Sequence, residues 1–108
     1  MYFVQVQLTD GDNYIPIEEA VQVEQMTVIN DTALTGGGTV TLSDGTDTIN
    51  IATAGTTDAA GTRTDGVPDA TNGNKTIPAG GFIKIVCSTT TDASGFGCVL
   101  KLDQHLIG

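Results

Sequence analysis

Residues 2–8 alternate, with Tyr2, Val4, Val6 and Leu8 on one side and Phe3, Gln5 and Gln7 on the other. A period of two marks a half-buried strand, because successive side chains of an extended chain point to opposite faces. Thr9-Asp10-Gly11-Asp12-Asn13 is a cluster of turn residues. Pro16 followed by Glu18 and Glu19 has the form of an opening helical turn. The pattern beyond it predicts a strand over about 21–30. Its apolar positions change phase, from odd at Val21 and Val23 to even at Met26 and Val28, so a bulge is expected near Gln25.

Residues 39–43 and 46–51 alternate on either side of Asp44-Gly45, a strong hairpin signal, with Ile49 and Ile51 expected inward. The stretch 52–75 is Ala, Gly, Thr, Asp and Asn with Val67 as its one large aliphatic, and it reads as a long loop. Residues 75–77 form a short strand entering a turn with Pro78 second and Gly80 fourth. Residues 82–87 place Ile83, Ile85 and Cys87 on one face. After a polar connection over 88–95, residues 96–103 turn Cys98, Leu100 and Leu102 inward. The expectation is one all-β domain over 1–108, an antiparallel, jelly-roll-like β-sandwich of six to eight short strands.

Composition agrees with strands. The chain holds 18 Thr and 14 Gly, and only 16% of its residues are charged. Thr fits a pleated surface and Gly supplies turns, while the Glu, Lys and Arg of solvated helices are scarce. The net charge of -9 rests on only four cations, Arg63, Lys75, Lys84 and Lys101. Nucleic acid and an anionic membrane surface are therefore not expected partners, since both need clustered Lys and Arg. No apolar run approaches the ~18 residues of a membrane span. The first residues show no signal-peptide pattern, which predicts synthesis in a cytoplasm.

Candidate chemistry is sparse, and the expectation is no enzyme, no cofactor and no metal. His105 is the only histidine and stands near the end of the sequence, where a solvated side chain is expected in place of one positioned by the buried acid that a catalytic triad needs. Ser43, Ser88 and Ser94 lie in turn-like segments without a nucleophile elbow. Glu18 and Glu19 are adjacent and would point apart in an extended chain, so they could not flank one glycosidic bond. Two cysteines and one histidine do not make a structural zinc site. Asp10-Gly11-Asp12-Asn13 begins like a calcium loop but lacks the closing Glu, and Gly36-Gly37-Gly38 lacks the Lys of a phosphate loop. If the last two strands pair as a hairpin, Cys87 and Cys98 can face each other within disulfide reach. A reducing compartment favours two free, buried thiols instead.

The outward residues are mostly Thr, Ala, Asn, Gln and Gly, a charge-poor surface that suits packing against copies of itself or a scaffold. Arg63, the only arginine, stands in the middle of the 52–75 stretch between Asp58 and Asp65. Its guanidinium can fork onto a carboxylate across an interface, which makes Arg63 the candidate contact residue, the alternative being a solvated arginine paired loosely with its own neighbours.

Residues 28–34 (VINDTAL), 38–46 (GTVTLSDGT) and 77–85 (IPAGGFIKI) together resemble the small Thr/Ala/Gly-rich β-sandwich proteins that decorate or cement the capsids of tailed bacteriophages, over about residues 28–103. The resemblance implies a non-enzymatic virion protein, a homo-oligomer and often a trimer, seated on the major capsid protein lattice and made in the host cytoplasm. It implies no cofactor. The alternative is a head-fibre or tail component, or a receptor- or glycan-binding β-sandwich. With 5% aromatics and no Trp, the chain is poor in stacking platforms for sugars.

Overall fold

The computed structural model describes residues 2–31, 38–55, 58–89 and 96–104. The corner at 32–37, Ser94 and His105 lie outside these residues. Ten strands follow in chain order: β1 (Tyr2–Leu8), β2 (Gly11–Pro16), β3 (Val21–Asn30), β4 (Gly38–Ser43), β5 (Thr48–Ala54), β6 (Arg63–Asp65), β7 (Val67–Pro68), β8 (Thr76–Ile77), β9 (Phe82–Thr89) and β10 (Phe96–Gln104). There is no helix among the described residues, and 18–19 form a bend in place of the helical turn that Pro16 suggested.

The strands make two antiparallel sheets. The first has the order β1-β10-β3-β6, with β8 also pairing β3, and the second has the order β2-β9-β4-β5-β7. The inward positions of both sheets meet in one core, where Leu8, Met26, Val40, Leu42, Ile49, Ile83, Ile85, Phe96 and Leu100 are fully buried. This is a β-sandwich built by period-two alternation, and the inner faces of β9 and β10 are the ones their patterns give.

Three strands exceed the sequence expectation, and each has a local cause. β2 contains Gly11, Asp12 and Asn13, which read as a turn. Their turn chemistry is carried by a side chain while the backbone pairs with β9. Asn13 Oδ1 accepts from Thr9 N (3.1 Å), and its Nδ2 donates to Thr9 O (2.9 Å) and across the sheet to Ile85 O (3.1 Å). β6 and β7 lie inside the stretch read as a loop. It is a lacing segment that puts β6 on the edge of one sheet and β7 on the edge of the other. Side-chain and backbone bonds hold it. Gly61 N donates to Asn30 O (2.8 Å), Asp69 N to Ile49 O (2.8 Å), and Asp69 Oδ2 accepts from Asn72 N (2.8 Å). Asp, Asn and Gly here supply hydrogen bonds that hydrophobic periodicity does not report.

Two bulges set the phases. Lys101 pairs with Gln25 and Leu102 with Val23, so Glu24 is the extra residue and the expected bulge lies one residue before Gln25. Leu42 pairs with Asn50 and Ser43 with Thr48, so Ile49 is the extra residue of the hairpin. That bulge turns Ile51 outward, to 38% exposure, and brings Asn50, Ala52 and Ala54 in. The expectation of an inward Ile51 is corrected by this one-residue insertion. The Asp44-Gly45 hairpin itself is present. Asp44 Oδ1 accepts from the Thr46 and Asp47 amides, and Lys75 Nζ lies 2.6 Å from both Asp44 Oδ2 and Asp47 Oδ2, tying the hairpin tip to the lacing segment. The Lys75 hydrogen bond, ahead of the Asp47 amide, lowers the Asp44 carboxyl to about 2. The turn before β9 runs one residue later than the spacing predicts. Gly81 N bonds Pro78 O, with Gly80 third at a φ of 86°, a conformation only glycine adopts freely.

Candidate functional site

β9 and β10 belong to different sheets, so they form no hairpin and Cys87 does not pair with Cys98 across one. Both thiols are free and buried. Burial pushes the Cys87 thiol up to about 11 and the Cys98 thiol up to about 12. Neither is a nucleophile near neutrality, since the thiolate is the reactive form. An aromatic disulfide reagent at pH 8 is expected to label neither thiol in the folded protein and both after denaturation. Rapid labelling of the native protein would contradict this burial.

Ser43 and Ser88 stand on strands, the only histidine lies outside the described residues, and Glu18 and Glu19 both border one cleft. Among the described residues no three His, Cys, Asp or Glu side chains group closely enough to hold a metal ion.

Arg63 opens β6, opposite Ile29 of β3, on the outer face of the first sheet. Its Nε donates to Asp65 Oδ1 at 3.0 Å, and Thr27 Oγ1 donates to the same oxygen at 3.0 Å. The Arg63 bond, with Thr27 second, holds the Asp65 carboxyl below its ordinary value. Asp65 is therefore the partner that fixes Arg63, while Asp58 turns back to accept from Gly55 N (2.7 Å). The arginine stays 70% exposed.

Around it the register assembles a depression of about 530 Å³, lined by Phe3, Glu24, Gln25, Thr27, Val99, Lys101 and Arg63. Phe3 pairs with Lys101, Lys101 with Gln25, and Val99 with Thr27, so alternate residues of β1, β10 and β3 share this face. Two of the chain's four cations are here, together with Phe3 at 69% exposure and Val99 and Ile29 partly exposed. Sequence reasoning found Arg63 and the outward set of β1 but not their meeting, because β6 was not visible as a strand. The outer face of the second sheet holds a smaller group. Tyr14 and Phe82 meet edge to face at 5.4 Å, and Lys84 Nζ lies 5.8 Å from the Tyr14 ring centre and 3.8 Å from Asp12.

Comparison with protein-family models, with characterised proteins and with solved structures gives no significant match to this chain.

Proposed function

We propose that the chain is a non-enzymatic structural protein of a bacteriophage head, a decoration or cement protein that binds the major capsid protein lattice as a homo-oligomer on the virion surface. The observation that carries this reading is the outer face of the first sheet. In a chain of net charge -9, that face gathers Arg63, Lys101 and three exposed apolar side chains on a rigid set of paired strands. A surface that mixes exposed apolar side chains with an arginine suits a protein partner. The course of the chain also supports it. Apart from the β4–β5 hairpin, successive strands alternate between the two sheets, and the first and last strands are neighbours; such a course is in keeping with a jelly roll, an architecture common in virus capsids. Many copies on one lattice multiply a weak individual contact.

The test is co-sedimentation with purified phage shells. The wild-type chain is expected to bind, and Arg63→Ala with Phe3→Ala to weaken binding by about tenfold or more while the fold is kept, since both side chains are exposed. Equal binding by the double variant, or binding to tails and not to shells, would overturn the reading.

A further inference from the structure

The sandwich has two kinds of edge. On one side lie β6, three residues long with the Arg63–Asp65 pair, and β7, two residues long with Pro68. Short length, charge and proline are the means by which sheet edges avoid other strands. On the opposite side lie β1 and β2. β2 carries Asp12 and ends on Pro16. β1 has none of these protections. It is seven residues, YFVQVQL, without charge, proline or glycine, and among the described residues it pairs only with β10. Beside it the two sheets part in a cleft of about 390 Å³, with Tyr2, Val4 and Leu102 on one wall and Ile15 and Ile17 on the other. Val4, Val6 and Ile15 pack on the core but remain only partly buried.

We propose that β1 is a strand-pairing site for a second copy of this chain, joined antiparallel to the partner's β1 about a two-fold axis at Gln5. The strand's own pattern fits itself in this register. Directly opposed residues of antiparallel strands point to the same face. Val4 then meets the partner's Val6, and Tyr2 the partner's Leu8, along the cleft. On the outer face Phe3 meets the partner's Gln7, and Gln5 meets the partner's Gln5, amide to amide. The pairing supplies a neighbour for the open backbone row and covers Val4 and Val6. Head-to-tail addition is disfavoured because it would seat the bare edge of one copy on the short, charged or proline-bearing edge of the next. The assembly is a dimer with one continuous sheet across the axis, not the trimer that the resemblance implies. It rests on the edge geometry and not on the capsid reading. Two chains of net charge -9 repel, so added salt strengthens the pair.

Gln5 is exposed and faces its own copy, which gives a charge-swap test. The wild-type protein is expected to have dimer mass in sedimentation equilibrium at micromolar concentration and moderate salt. Gln5→Lys alone and Gln5→Glu alone are each expected to have monomer mass, with far-ultraviolet circular dichroism close to wild type and a Tm lowered only by the loss of the association. Their equimolar mixture is expected to recover the dimer. A monomeric or trimeric wild-type protein, a Gln5→Lys protein that stays dimeric, or a mixture that stays monomeric while the wild type pairs would each overturn the proposal. Shell binding by a monomeric wild type would leave the capsid reading standing and this one refuted.

Discussion

Replacing Ile85 with Ala is expected to destabilise the protein by about 2–5 kcal/mol, the range for removing a fully buried branched side chain and leaving a cavity. Ile85 is 0% exposed and sits mid-strand in β9, with β2 on one side and β4 on the other, opposite Asn13 and Leu42. Neighbours paired on both sides cannot close the gap without breaking two ladders, which favours the upper part of that range. In a domain of this size each kcal/mol moves Tm by about 4–8 °C, so the fall should be at least about 8 °C. Ile51→Ala is the matching control. The bulge at Ile49 turns Ile51 outward, and its loss is expected to cost no more than about 1 kcal/mol. Thermal or urea unfolding of the two variants decides the matter. A larger effect at Ile51 than at Ile85 would mean that the bulge is placed wrongly.

The contrast between these isoleucines shows what the sequence could and could not say. Alternation over 82–87 and 96–103 named the inward residues correctly, because each run keeps one phase from end to end, whereas over 2–8 only Leu8 is fully buried, Val4 and Val6 are partly buried and Tyr2 stays 41% exposed. The phase change between Val23 and Met26 was readable because apolar residues stand on both sides of it. The hairpin bulge was not, since the residues that turn inward after it are Asn50, Ala52 and Ala54, and small or polar side chains carry little signal. The lacing segment failed for a related reason. Its order comes from Asp69, Asn30 and Gly61 bonding backbone groups of distant strands, and such bonds leave no period. For the candidate site the only arginine was visible as a candidate contact. That Phe3, Val99 and Lys101 stand beside it follows from the sheet order, and a single sequence does not contain the order.

Gly66→Ala is expected to be among the costliest single-methyl additions in this chain. A Cβ at Gly66 would lie 1.9 Å from Asn50 Oδ1, 2.9 Å from Asn50 Cγ and 3.0 Å from Met26 O. The Met26 carbonyl is backbone and already accepts from Gly66 N at 2.7 Å, so that side cannot withdraw. Asn50 must move, and it is 1% exposed, with an Oδ1 that has no hydrogen-bond partner among the described residues. Overpacking costs about 1–3 kcal/mol, and displacing a buried amide adds about 1–3 kcal/mol, for a loss of about 2–6 kcal/mol. Gly61→Ala separates crowding from backbone strain. Gly61 has a φ of 84° with nothing within 4 Å of the added carbon, so it should lose only the about 1–2 kcal/mol of a left-handed residue. The cause can be isolated further with Asn50→Ala, which removes the obstructing amide together with its unpartnered oxygen. If the clash with Asn50 is what makes Gly66→Ala costly, the double variant will be more stable than the sum of the two single losses by about 1 kcal/mol or more in urea titrations, as coupled neighbours require. Strict additivity would place the cost at the Met26 carbonyl and leave Asn50 a bystander.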